Sequence, residues 1–208
     1  MTPSLKPEPP PTRSNPTVGT APDASEERAW VQRARAGDTE AFRKLVERHR
    51  DRAYGLAFRM LGSAPEAEEA AQDAFLRAWR ALPQFRGESA FSTWLHRIVV
   101  RRALDRQAVL KSRRAREAPL EEASPGALAA AGDATPEPGL RRTLERLMDS
   151  LSEVQRTVVL LYYYEDRSVE EVARILEIPE GSVKTHLHRA RALLRAAWLE
   201  QERTEGRP

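Results

Sequence analysis

Two stretches poor in apolar bulk and interrupted by proline decide how this chain can fold. Residues 1–24, MTPSLKPEPPPTRSNPTVGTAPDA, hold seven of the fifteen prolines. Residues 117–139, EAPLEEASPGALAAAGDATPEPG, lie between two strongly periodic segments. Neither stretch can bury enough apolar surface to offset the entropy of ordering it. The first reads as a disordered tail, the second as part of a flexible linker with a short Ala-rich portion. The chain therefore divides into a tail at 1–24, a module at 25–112, a linker at 113–139, a second module at 140–202 and a short tail at 203–208.

Both modules carry helical periodicity. In the first, Phe42, Leu45, Val46, Ala53, Leu56, Ala57, Met60 and Leu61 recur at helix spacing. Asp38 suits the N-cap and Gly62 the stop. Ser63 with Glu66 predicts a capping box opening a helix that runs to about Leu82, where Pro83 ends it. The loop PQFRGES leads to a third long helix from about Ser89, with Phe91, Trp94, Leu95, Ile98 and Val99 inward. Trp94 reads as core rather than as a wedge into DNA. A shorter helix, Glu26–Ala36, precedes these three. In the second module Leu140, Leu144, Leu147, Met148 and Leu151 mark one helix. Ser152 with Gln155 caps EVQRTVVLLYYYE, whose tyrosines read as packing, and Ser168 with Glu171 caps VEEVARIL. No strand pattern competes, so the fold class is all-α: two small helical domains joined by a flexible linker.

The segment after VEEVARIL is a tight turn, EIPEG, and a basic helix, EGSVKTHLHRARALLRAAW. A short capped helix, a turn and a second helix form a helix-turn-helix. Small Ala173 sits at the crossing, with Val172, Leu176, Ile178, Val183 and Leu187 as packing. Charge is segregated: Glu165, Asp166, Glu170, Glu171, Glu177 and Glu180 precede the last helix, and the bases lie on it. A helix merely kept soluble mixes its signs. In a helix-turn-helix the N-terminal half of the second helix enters the major groove, which singles out Ser182, Lys184, Thr185, His186, His188 and Arg189. Arg191 and Arg195 lie further along and suit phosphates.

The first module repeats the asymmetry. Arg97, Arg101, Arg102, Arg106, Lys111, Arg113, Arg114 and Arg116 are opposed only by Asp105 within their own segment. Two basic elements in separate modules point to one polyanion gripped twice. The preceding helix is acidic, with Glu66, Glu68, Glu69 and Asp73, and an alanine stripe (Ala67, Ala70, Ala71, Ala74, Ala78) permits close packing. Phe75, Leu76 and Trp79 cannot all enter a small core, which leaves apolar area for a protein partner.

Other functions are poorly served by this composition. Formal net charge is only +3, and there is no cysteine, hence no disulfide, thiolate metal site or cysteine nucleophile. No signal peptide is evident, and no apolar run reaches the roughly 20 residues of a membrane span. The expected localisation is cytoplasmic, without membrane insertion. The four histidines, His49, His96, His186 and His188, fall on different helices or basic faces. No metal, cofactor or catalytic residue is expected, and no enzyme.

The segments AEEAAQDAFLRAWRALPQFRGESAFSTWLHRIVVRRALDRQ and LSEVQRTVVLLYYYEDRSVEEVARILEIPEGSVKTHLHRARALLR closely resemble regions 2 and 4 of extracytoplasmic-function (ECF) sigma factors of bacterial RNA polymerase. The resemblance covers roughly residues 26–110 and 140–198. It implies an alternative sigma factor whose partners are core RNA polymerase, a melted −10 strand, a duplex −35 element and an anti-sigma factor. It places core binding on Gln72, Asp73, Leu76 and Trp79. It places −10 contact on Phe85, Arg86, Gly87, Glu88, Ser89 and Ala90, with Arg97, Arg101 and Arg102 on phosphates. The −35 contact falls on Ser182, Lys184, Thr185, His186, His188, Arg189 and Arg191. Without core enzyme the two modules are expected to be mobile or clamped by the anti-sigma factor. Three departures stand out: Arg101 where many members carry Asn, Glu177 at a turn position where Gly is frequent, and histidines at 186 and 188. A non-glycine residue at 177 predicts a strained positive φ or a reshaped turn.

Two other binding readings remain open on the residues alone. One is a plain helix-turn-helix activator, which would not need the first module's loop and basic helix. The other is a sigma-like decoy that sequesters an anti-sigma factor, which would not need two basic faces.

Overall fold

A computed structural model describes residues 24–117, 148 and 150–205. The tail expected at 1–24 (save Ala24), most of the linker and the helix expected from Leu140 lie outside the described residues. The elements are α1 (Ala24–Arg35), α2 (Thr39–Leu61), α3 (Ala64–Ala81), a single 3-10 turn (Leu82–Gln84) and α4 (Phe91–Glu117). They continue as α5 (Glu153–Val159), a π-helical turn (Leu160–Tyr164), α6 (Val169–Leu176) and α7 (Glu180–Glu205). Among the described residues there is no strand, and no helix is long and apolar enough to cross a membrane. The fold is all-α. The segment expected as linker begins inside α4, which continues to Glu117, and α7 runs to Glu205.

Local chemistry explains most boundaries. The Asp38 carboxylate accepts the Ala41 N–H at 3.0 Å, and Gly62 closes α2 in the left-handed region at φ 68°. Both capping boxes of the second module form, with Ser152 and Gln155, and Ser168 and Glu171, exchanging their bonds. The box expected at Ser63 does not. Ser63 is extended, as an N-cap should be, but its hydroxyl caps nothing. Pro65 removes one of the two N–H groups such a cap can use. Glu66 turns instead to the Arg106 guanidinium, a stronger, charge-assisted partner.

In the first module α2, α3 and α4 pack around Leu45, Leu56, Leu82, Leu95 and Val99, all fully buried. The alanine stripe of α3 is buried throughout, which lets its backbone approach α2 and α4 closely. In the second module Val158, Leu160, Leu161, Val172, Val183 and Leu187 form the core under α5–α7. The tyrosines expected as packing divide. Tyr162 is half-buried, whereas Tyr163 and Tyr164 are 46% and 50% exposed. The π-helical turn adds a residue per turn and rotates them off the buried stripe.

In this structure the two modules touch one another. The inward end of α4 lies against α6, and Arg59 of α2 reaches the segment between the π turn and α6.

Candidate nucleic-acid interface

The basic helix α7 is presented by α6 across a tight turn. Glu177 closes α6 in the left-handed region at φ 56°, ψ 38°, so the turn keeps the glycine-type shape and bears the steric cost of a Cβ. Val183, Leu187 and Ala190 point into the core. That register leaves Lys184, Thr185, His188, Arg189 and Arg191 exposed and Ser182 and His186 half-buried. Glu180, 4.0 Å from Lys184, tempers this face, and Arg191 donates to the Tyr163 hydroxyl at 2.8 Å. The seven residues expected to read duplex DNA thus lie on the N-terminal half of one helix, mostly open to solvent.

The loop after α3 has a different construction. Phe85 is buried against Trp94 (4.9 Å between ring centroids) and Phe91 (6.3 Å), which pins the loop to α4. Trp94 is half-buried in that cluster. From this anchor Arg86, Gly87 and Glu88 project into solvent, and Gly87 takes φ 76°, where a side chain would strain the turn. Behind the loop lies an open cavity of about 840 Å³. Gly87, Ser89 and Ala90 border it, and so do Arg28, Arg48 and Arg52 from α1 and α2. These bases were missed by sequence reasoning, because only packing of α1 and α2 against the loop brings them there. Glu27 faces them, 2.7 Å from Arg48 Nε and 3.3 Å from His49 Nε2. The His49 contact, more than the arginines, holds the Glu27 carboxyl below the usual range against the opposing effect of burial.

Along α4 the arginines part company. Arg101 is exposed. Arg102 pairs with Asp105 at 2.6 Å and approaches Asp73 at 3.9 Å. Arg106 pairs with Glu66, and with Glu69 at 2.9 Å. The acids of α3, which looked unopposed in sequence, therefore neutralise part of α4. Arg97 donates through Nε and Nη2 to the Arg174 carbonyl of α6 at 3.1 and 2.8 Å, and its Nη1 lies 3.6 Å from Glu177.

A third surface is apolar. Thr39, Phe42 and Val46 of α2 and Gln72, Phe75, Leu76 and Trp79 of α3 line a groove of about 540 Å³, with Leu76 57% exposed. Of the four residues expected to bind a protein partner, Gln72, Leu76 and Trp79 meet here. Asp73 does not line it and instead accepts from Arg77 at 2.8 Å.

A family model described as sigma-70 region 2 matches residues 45–115, and one described as sigma-70, region 4, matches residues 141–194. The chain is 35% identical over 173 residues to the ECF RNA polymerase sigma factor SigW of Bacillus subtilis, covering 79% of this chain and 92% of that protein. It is 36% identical over 172 residues to the ECF RNA polymerase sigma-E factor of Escherichia coli K12, covering 77% and 88%. Among solved structures, CnrH in complex with the cytosolic domain of CnrY aligns with a TM-score of 0.60 at 25% identity, over 85% of this chain and 99% of that one. The sigma factor RpoE of Bartonella quintana, in complex with the anti-sigma factor NepR, aligns at a TM-score of 0.62 and 22% identity, over 76% and 96%.

Proposed function

Because this chain belongs to the extracytoplasmic-function sigma factors, and like them directs transcription initiation through core RNA polymerase and promoter recognition, we propose how its surfaces divide that work. Residues 25–112 form the unit that seats on polymerase and holds the melted −10 strand. The apolar groove around Gln72, Leu76 and Trp79 is the polymerase contact, with Asp73 at its edge. Phe85, Arg86, Gly87, Glu88, Ser89 and Ala90 take the −10 strand. Extruding a base from the stack costs a few kcal/mol, and the cavity behind Gly87 gives such a base somewhere to go. Arg97, Arg101 and Arg102 hold phosphates of the same strand. Residues 140–202 read the −35 duplex through Ser182, Lys184, Thr185, His186, His188 and Arg189, with Arg191 on the backbone. Lys184 and Arg189 suit guanine edges; a neutral histidine reads less selectively.

ECF sigma factors generally bind an anti-sigma factor as well as core enzyme, and one is proposed here as the second protein partner. A sigma factor is not an enzyme, and among the described residues no group of three His, Cys, Asp or Glu could hold a metal.

The observation that carries this reading is the coexistence in one chain of an exposed basic reading helix and a separate loop with its own cavity. A plain helix-turn-helix activator has use for the first alone. The test is reconstituted transcription with core polymerase on a promoter library. Lys184→Ala with Arg189→Ala is expected to abolish −35 selectivity while core binding persists. Leu76→Glu is expected to weaken core binding by about tenfold or more, as loss of a central apolar anchor does. Core binding without initiation at any promoter would favour the decoy reading instead.

A further inference from the structure

Arg191 differs from the arginines of α4 in what answers it. Arg97 is met by a backbone carbonyl, and Arg102 and Arg106 by carboxylates. Arg191 instead donates through Nε to the Tyr163 hydroxyl at 2.8 Å. Its Cζ lies 5.9 Å from the ring centroid, at the outer limit of about 6 Å for a cation over an aromatic face. The hydrogen bond, not the ring face, therefore fixes the pair. A carboxylate would orient the guanidinium and cancel its charge, whereas a phenol orients it and leaves the charge whole. Tyr163 is available because the π-helical turn Leu160–Tyr164 carries it off the buried stripe, where half-buried Tyr162 holds its ring edge-on at 5.0 Å.

Position along α7 gives the pair its use. Val183, Leu187 and Ala190 turn into the core. Beside that stripe Lys184, His188 and Arg191, spaced four and three apart, form one exposed row. At 1.5 Å per residue Arg191 stands about 10 Å beyond Lys184. The major groove is about 8.5 Å deep, so a helix entering it with Lys184 on base edges leaves Arg191 and Tyr163 at the groove wall, where the phosphates are. Donors remain for an anion there: with Nε spent, Arg191 keeps its Nη donors, and the accepting hydroxyl keeps its own O–H to give. We propose that Tyr163 and Arg191 form a phosphate clamp built from two helices at the end of the −35 row. Arg191 meets a backbone phosphate through its Nη atoms, while Tyr163 holds the guanidinium in place and donates a hydrogen bond to the same phosphate. The inference rests on the assignment of α7 to the −35 duplex. Restraining the long arginine side chain before DNA arrives reduces the freedom lost on binding. It also brings α5, which lies outside the helix-turn-helix, onto the DNA backbone.

The test is binding of the full chain to a dye-labelled random-sequence duplex DNA pool across a salt series, because a phosphate contact acts on every sequence alike. Tyr163→Phe keeps the ring and its packing but lacks the hydroxyl. It is expected to weaken binding about fivefold, the size of one hydrogen bond, at every salt concentration. The slope of log K against log salt should not change, since a neutral donor releases no counterion. Arg191→Ala is expected to lower that slope by about 0.9. In the Arg191→Ala background Tyr163→Phe should cost only about twofold, because residues in contact are coupled. The urea midpoint of Tyr163→Phe should match the parent's. Parent-like binding by Tyr163→Phe, with the slope lowered in Arg191→Ala, overturns the clamp and leaves the −35 assignment standing. A fivefold loss in both backgrounds, or a loss of binding accompanied by a lower urea midpoint, overturns it too. No binding of the pool by the parent at low salt, or an unchanged slope in Arg191→Ala, also overturns it. Whether the −35 assignment falls as well is then read from promoter selectivity of the holoenzyme carrying Lys184→Ala with Arg189→Ala.

Discussion

Among individual residues, His96 illustrates how position overrides intrinsic chemistry. In sequence it is one histidine on a basic helix. In the fold it is 2% exposed, and burial, more than its neighbours Arg167, His49 and Arg52, pushes its pKa down to about 3, with Glu171 opposing. It therefore stays neutral in the folded chain, while an exposed histidine titrates near 6.5. As pH falls below about 6.5 the unfolded chain gains a proton that the folded chain does not, so stability declines progressively toward pH 3. Glu165, whose pKa burial raises, works in the opposite direction: its share of stability is greatest in acid and is lost as pH rises past its folded value. Comparing the parent with His96→Gln isolates the histidine. Between pH 7.5 and 5 the parent should lose about 2 kcal/mol more stability than the variant, read from urea unfolding at each pH. Equal losses would mean that His96 is protonated in the fold.

Helix ends put the same lesson one scale up. Two matching signals, Ser168 with Glu171 and Ser63 with Glu66, look equivalent as motifs, but only the first forms its box. An eight-residue helix such as α6 cannot stand alone, so its cap and its packing decide whether the basic helix α7 is presented at all. Ser168→Ala should cost about 1 kcal/mol. Ser63→Ala should change stability by less than about 0.5 kcal/mol, as at positions without such a role. Thermal or urea unfolding of both variants tests the contrast; similar losses would show that Ser63 caps α3 after all. The α3 acids belong to this scale as well. Glu66 owes its lowered pKa chiefly to the Arg106 guanidinium, with burial opposing, so part of what looked like a partner-facing acidic surface is an internal clasp between α3 and α4.

For the molecule as a whole, the division of work proposed for the two modules makes their contributions separable. Arg101 on α4 and Arg191 on α7 are both exposed and lie in different modules. As phosphate contacts of the promoter-bound holoenzyme they should act independently. Each alanine variant should lower the slope of log K against log salt, by about 0.7 for a single-strand contact and about 0.9 for a duplex contact. The double variant should show the sum, measured by promoter binding between low and moderate salt. A double variant no worse than either single one would mean that the modules do not grip the DNA separately.

Periodicity, caps and charge run along the chain, and these alone determined the all-α class, the helix-turn-helix, the exposed basic face of α7 and the spare apolar area at Leu76 and Trp79. They are local properties, because each depends on residues a few positions apart. Which acids answer which bases is not local. Glu66 meets Arg106 across 40 positions, Glu171 meets Thr93 across 78, and Glu165 meets Arg59 across 106. Only tertiary packing brings such groups within the few ångströms at which hydrogen bonds form. That is why the basic rim of Arg28, Arg48 and Arg52, and the seating of α6 on α4, became visible only in the fold.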